Sequence, residues 1–447
     1  MTDQLSDLTT RLLDAAHRAG AEAADALAVT GSSVSIDLRV GRLETAERAE
    51  ATEVGLRVLI GGRQACVSAS DLSQRTFDAL AERAVAMARE APEDPTAGLA
   101  DPAQLAQGWD IAAYEMFDPT EEPSAGTLED DCRAIESAAL SRAGIRQVES
   151  SAGYSRRAMY LAASNGFAGG YQRTSRSLSA VAFTGEGTGM ERDWAGESRV
   201  FQSDLPGATE MGILAGDRAL ARLGAVKPVT GTYPVLFDER IASSLIGHLL
   251  GAVNGMAIAR GASWLREALG QQVLPKGLSV IEDPHRPRIP GSRPFDGEGL
   301  PTQRRAIVDD GILTGWTLDL ATGRKLGMAS TANASRGTSS PPSPSTSNID
   351  LTPGAQTRED LIRDMGTGLL VTSMIGSTIN PTTGDYSRGA AGFWVEGGEI
   401  RYPVNECTIA GNLRDMLLRI VPANDARSYL STRVPSILID GLTLAGA

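Results

Sequence analysis

Residues 4–19 place Leu8, Leu12, Leu13 and Ala16 on one side of a 3.6-residue period, which predicts an amphipathic helix. The period then changes to two. From Asp25 to Ser70, Val34, Ile36, Leu38 and Val40 alternate with polar residues, as do Val54, Leu56, Val58 and Ile60, then Ala65 and Val67. Gly31, Gly41 and the Gly61-Gly62 pair punctuate the run, so it reads as a β-meander. Asp71 or Ser73 can cap a second helix that carries Phe77, Leu80, Ala84, Val85 and Ala88 and stops before Pro92. Residues 92–124 are rich in Pro, Asp and Glu and read as a surface connection. A helix at 127–143 with Leu128, Ile135 and Leu140 inward comes next, then strands from Arg146 to Thr184, then a helix over 207–223.

Gly224-Ala-Val-Lys-Pro looks like a linker. Beyond it the pattern restarts with a strand, Tyr233–Phe237, and a helix over 239–254 that is apolar on most of its surface and is therefore expected to be buried. After residue 270, short strands and glycine-marked turns dominate; Asp309-Asp310-Gly311 and Glu396-Gly397-Gly398-Glu399 read as hairpin turns. The predicted fold class is α+β. An N-terminal α/β two-layer domain, residues 1–224, precedes a β-rich C-terminal domain, residues 231–447, barrel-like or a sandwich. Residues 335–348 hold little but Ser, Pro, Thr and Gly, and are expected to form a mobile or extended surface loop.

Composition narrows the function. The chain of 447 residues has a formal charge of −13, with acids and arginines interspersed, which argues against a nucleic-acid partner. No stretch is long and apolar enough to span a membrane and the N-terminus has no signal-peptide pattern, so a cytoplasmic protein is expected. Cys66, Cys132 and Cys407 are scattered and make neither a disulfide framework nor a thiolate metal cluster. Cys407, in an alternating segment, reads as a small buried apolar residue.

The three histidines, His17, His248 and His285, decide most of the chemistry. A zinc peptidase normally needs two histidines with a carboxylate close by, and no His-Glu-x-x-His occurs. His17 lies on the first helix, His285 in a Pro-bounded loop beside Glu282 and Asp283, and His248 in the apolar helix. Ser387, in Gly384-Asp-Tyr-Ser-Arg-Gly389, lacks the glycine two residues before it that a nucleophile elbow requires. Gly185-Glu-Gly-Thr-Gly189 lacks the spacing of a phosphate loop. No complete catalytic constellation is legible.

Several ordered segments resemble the PmbA (TldE) branch of the TldD/PmbA family. They are Gly247-His-Leu-Leu-Gly-Ala-Val-Asn-Gly255, Gln272-Val-Leu-Pro through Glu282-Asp-Pro-His285, Pro294-Phe-Asp-Gly-Glu-Gly-Leu-Pro-Thr-Gln-Arg-Arg305, Asp310-Gly-Ile-Leu-Thr314, Gly384–Glu396 and Thr408-Ile-Ala-Gly-Asn-Leu413. The TldD-type subunit of that family carries His-Glu-x-x-x-His on a helix. In register with it stand Gly247, His248 and Ala252, which cannot supply two imidazoles and a carboxylate. The family's cysteine ligand also has no counterpart in Asp385–Gly389. The resemblance implies a non-catalytic subunit without a cofactor of its own, paired with a TldD-like metallopeptidase subunit that holds a metal, expected to be zinc, and acting on unfolded or short peptides. Maturation of peptide antibiotics and degradation of an antitoxin are family roles. Phe295, Asp296, Glu298, Arg388, Phe393 and Trp394 are the candidate substrate or interface residues, and the chain alone is expected to form a homodimer. Two alternatives stay open: an independent peptidase with ligands such as His248, His285, Asp283 and Glu282, or a peptide-binding homodimer without proteolysis.

Overall fold

The computed structural model describes residues 2–446, without the side chains of residues 188, 377 and 378. The N-terminal elements are α1 (Thr2–Arg18), β1 (Ala23–Arg39), β2 (Arg42–Ile60), β3 (Arg63–Ala69), α2 (Gln74–Glu90), α3 (Ala125–Leu140), β4 (Ile145–Ala163), β5 (Ala168–Thr184), β6 (Glu191–Arg199) and α4 (Ala208–Ala221). The order helix, three strands, helix occurs twice. The two units join through their first strands, β1 against β4, in one antiparallel sheet of order β3-β2-β1-β4-β5-β6. On β1, Ala24, Ala26, Ala28, Val34, Ile36 and Leu38 are all buried and share one parity, hence one face of the sheet. The first three pack under α1 and α2 and the last three under α3. The two-layer arrangement expected from the pattern is present.

The second half contains β7 (Gly231–Phe237), α5 (Glu239–Ala252), α6 (Gly255–Ala259), β8 (Val280–Glu282), β9 (Arg305–Asp309), β10 (Ile312–Leu313), α7 (Leu320–Leu326), β11 (Ala334–Ser335), β12 (Ser343–Pro344), β13 (Ile349–Leu351), α8 (Arg358–Met365), β14 (Gly368–Ile379), β15 (Asp385–Glu396), β16 (Glu399–Asn412), α9 (Leu413–Leu417), β17 (Val421–Pro422), β18 (Thr432–Arg433) and β19 (Ile437–Ala445). Strands β16-β15-β14-β7-β19 form a sheet that closes on itself, because Thr408, Ile409 and Ala410 pair with Ala445, Leu444 and Thr443. The β-rich domain is therefore a five-stranded barrel, a closure that leaves few edges among these strands. Both expected hairpin turns are present. Asp310-Gly311 and Gly397-Gly398 each link two strands through two residues of positive φ, as type I′ geometry requires.

Three expectations need correction. Leu140 points outward at 45 % exposure, because Leu128, Cys132, Ile135 and Ala139 set the inward face of α3 and Leu140 lies one residue, about 100°, off it. The connection over 92–124 runs across the surface but seats Ala106, Met116 and Asp118 as buried residues. Residues 335–348 are not a loose loop. They carry Ser335 of β11 and the whole of β12, and their ends are held by hydrogen bonds. Ser347 donates to Glu282 from its backbone N–H (2.6 Å) and hydroxyl (3.0 Å), and Asn348 Nδ2 donates to Ser292 Oγ (2.7 Å). Arg336, from the same run, pairs with the buried Asp25 of β1, which also accepts from Arg57 Nε at 2.7 Å. Thr338 lies so close beneath β2 that a Cβ on Gly55 would fall 2.0 Å from its carbonyl oxygen. This run is the seam between the barrel domain and the N-terminal sheet.

Candidate functional site

Asp238 starts α5: its carboxylate accepts from the Arg240 N–H (3.2 Å), and Arg240 reaches Asp193 of β6 at 3.3 Å, which fixes the helix against the N-terminal sheet. Ala242, Leu245, Ile246, Leu249 and Ala252 bury one face in the barrel core. The expected burial holds for that face alone. Gly247 and Gly251, one turn apart, are exposed, and a Cβ on either would meet nothing within 4 Å. Glycine in a helix interior costs about 0.5–1 kcal/mol relative to alanine, and here no neighbour demands it. The result is a strip of bare helix backbone open to an approaching chain.

His248 borders that strip. Its ring meets Tyr386 edge to face, with centroids 5.9 Å apart, and its Nε2 is buried without a hydrogen-bond partner among the described residues. Burial, and then the nearby Arg388 cation, lower its pKa, so the imidazole is neutral near pH 7. Tyr386 is itself buried, its hydroxyl 3.5 Å from Met374 Sδ, and burial raises its pKa. Arg388 donates through Nε to the Gly376 carbonyl at 2.7 Å. The cluster therefore offers one neutral imidazole, one cation and one phenol. Gly247 and Ala252 flank it with no donor atoms, and Ala252 is buried, so this position does not fit a metal. Among the described residues, no group of three or more His, Cys, Asp or Glu side chains is gathered closely enough to hold a metal ion.

The other candidates are scattered. Glu282 is saturated by Arg305 Nε (2.9 Å), Asn333 Nδ2 (2.8 Å) and Ser347. His285 is exposed, edge-on to Tyr114 and 3.2 Å from Thr302 Oγ1, while Asp283 accepts from the His285 N–H. His17 is exposed on α1. Phe295 is 1 % exposed and packs among Trp109, Phe167 and Tyr171 between the two halves of the chain. Asp296 accepts from the N–H groups of Glu298, Leu300 and Ala334, and Glu298 accepts from that of Leu320. Trp394 is buried edge-on against Tyr233, and Phe393 is half-buried in a small core with Leu236 and Leu361. Phe295, Asp296, Glu298 and Trp394 are thus enclosed by their own chain and present no surface to a partner, whereas Arg388 stands beside His248. Cys407 is buried and donates to the Ala390 carbonyl, and burial pushes its thiol up to about 11.

Sequence reasoning missed Tyr386 and the triad Asp25–Arg57–Arg336. A signal for the triad existed within the apolar stretches 23–29 and 54–60, where Asp25 and Arg57 are the lone charges and are direct partners in the β1–β2 register.

Comparison with known proteins agrees with this architecture. Family models for PmbA/TldA metallopeptidase domain 1, central domain and C-terminal domain match residues 24–88, 118–223 and 230–446. The metalloprotease PmbA of Escherichia coli is 36 % identical over 93 % of this chain and 90 % of its own. The structure of a candidate modulator of DNA gyrase from Bacteroides thetaiotaomicron superposes with a TM-score of 0.92 at 29 % identity, over 100 % of both chains. TldE from Thermococcus kodakarensis shares the fold, with a TM-score of 0.85 at 18 % identity over 98 % of this chain and 99 % of its own. Among the described residues, no helix is long and apolar enough to cross a membrane. Two matched units in one sheet, a closed barrel behind them and identity along nearly the whole length place this chain in the PmbA/TldD metallopeptidase family.

Proposed function

We propose that this chain is the non-catalytic subunit of a TldD/TldE-type metalloprotease, completing the chamber in which a TldD-like partner, carrying the metal, cleaves unfolded or short peptides. The observation that supports this reading is α5. Its positions 247, 248 and 252 supply one imidazole and two residues without ligand atoms, and the exposed Gly247 and Gly251 leave an open strip of backbone beside them. Such a surface suits contact with an extended peptide or a partner, with Arg388 available to a carboxylate or carbonyl oxygen. The reading of an independent peptidase loses Glu282, whose oxygens are committed to Arg305, Asn333 and Ser347.

Co-expression with a TldD-like subunit tests it. The expected result is a stable heteromeric complex that cleaves an unfolded peptide, with metal retained on the partner and none in stoichiometric amount on this chain alone. Cleavage by this chain in isolation, abolished together with bound metal by His248→Ala, would overturn it.

A further inference from the structure

Strand β5 pairs with β6 only over Arg176–Thr184, and residues 168–175 extend beyond that partner. The β4–β5 register is unbroken from Ala162↔Ala168 to Arg156↔Thr174. At the inner end of this extension the Thr174 N–H points away from β4 and donates to the Met116 carbonyl at 3.1 Å. Backbone direction repeats every second residue, so Ala168, Gly170 and Gln172 turn their N–H and C=O groups to the same side. Among the described residues those backbone groups have no partner. All three residues line a cavity of about 640 Å³, whose opposite wall is the 109–117 segment. That wall is fixed by the rest of the chain: the Ala106 N–H donates to the Gly299 carbonyl at 2.9 Å, and the Arg288 N–H to the Tyr114 carbonyl at 3.0 Å.

The cavity gathers aromatic residues in a chain where they make up only 5 %. Trp109, Phe117, Tyr160, Tyr171 and Phe201 line it, each half-buried, and Ile111 joins them at 40 % exposure. Trp109 lies over Gly169 on the face that meets Phe295, and Tyr160 lies against Gly170 on the face that carries the helices, so each face of the bare edge has a ring beside it. Arg288 sits 4.0 Å over the Phe201 ring and Arg156 4.9 Å over that of Phe117. Two rings therefore already hold a cation from this chain, which argues against a cationic ligand. What remains open is apolar ring surface next to a row of backbone donors and acceptors, the two things an extended peptide can use at once. We propose that the cavity binds a peptide segment of about five residues, which adds as a strand to the β5 edge at Ala168–Gln172 and packs a bulky apolar side chain against Trp109 or Tyr160. The dimensions agree: five edge residues extend over about 14 Å, and a volume of this size is usual for a small-ligand site. The Met116 carbonyl, bonded to Thr174, closes the ladder beyond. This site belongs to the N-terminal sheet and not to α5, and it rests on the proposed function only for the source of the peptide.

The test uses the full chain alone with end-blocked, uncharged pentapeptides that differ at the central residue, read by calorimetry and by amide exchange. A peptide with a central phenylalanine is expected to bind, and the same peptide with a central glycine to bind about tenfold more weakly. Amide exchange at Gly170 and Gln172, fast in the free chain, is expected to slow about tenfold on binding, with no change along α5. Gln172→Pro removes an edge N–H that the ladder with β4 does not use, and Ile111→Asp places a charge among the rings at an exposed position. Each is expected to weaken binding about fivefold or more, with unchanged circular dichroism. A peptide N-methylated at the alternate amides that face β5 should lose binding with the protein unaltered. Absence of binding to the wild-type chain, equal affinity for the two peptides, or indifference to N-methylation would each overturn the site. Slowed exchange confined to α5 would overturn it while leaving the proposed function standing, and failure to form a complex with a TldD-like subunit would do the reverse.

Discussion

The interdomain seam and the exposed face of α5 both contain charged or polar groups next to glycine, yet they are built on opposite terms. At the seam, Gly55 is required because Thr338 occupies the space of a side chain, and Asp25 is enclosed by two guanidinium groups. At α5, Gly247 and Gly251 face open space, and among the described residues His248 Nε2 has no hydrogen-bond partner. The difference separates residues that hold the chain together from residues that hold nothing within it. The second group is the surface to which the proposed binding role is assigned.

The sharpest way to break the comparison is Asp25→Ala. It leaves Arg57 and Arg336, both deeply buried, facing each other without an anion, and is expected to destabilise by about 3–5 kcal/mol, read as a lowered urea midpoint. A change below about 1 kcal/mol would show that the seam is not held by this triad. Glu298, close to the seam, gives a pH test of intermediate size. Burial, and then Asp296, raise its carboxyl to about 8. The folded chain thus keeps a proton that an unfolded glutamate releases near pH ~4.3. The stabilisation is complete below that value and is lost as pH rises toward 8. The Tm is expected to fall between pH 6 and pH 8.5. Glu298→Gln, which preserves the acceptor for the Leu320 N–H, should flatten that fall in part, since burial raises the Asp296 carboxyl too. Equal slopes in the two proteins would contradict the assignment. The smallest effect belongs to the open face: Gly247→Ala is expected to stabilise by about 0.5–1 kcal/mol in thermal unfolding. Destabilisation would mean that the strip is already filled by the chain's own atoms.

Much of the fold was legible because apolar periodicity is a local signal. The alternation of Val34, Ile36 and Leu38, and the turn pairs Gly397-Gly398 and Asp310-Gly311, marked strands and turns where they occur. The order within 335–348 was not legible, since a Ser/Pro run has no apolar pattern and its partners, Asp25, Glu282 and Ser292, are remote in sequence. The absence of ligands at Gly247 and Ala252 could be read directly. That Phe295, Asp296 and Trp394 are internal could not, because aromatic and acidic residues in a glycine-rich segment suit a surface site as well as a packed turn. Barrel closure was left open between two forms because it depends on one short pairing, β16 with β19.

The ladder between β1 and β4 also constrains how the polypeptide is made. Asp25 finds Ala163 and Arg39 finds Glu149, so the central strand lacks one of its two neighbours until residue 163 has been synthesised. Loop closure over such separations slows folding. Until then the first unit has an unsatisfied margin on β1, besides the Arg42–Glu53 stretch of β2 that lies beyond its pairing with β3. Truncation before β4 should therefore yield an aggregating fragment rather than a smaller soluble domain.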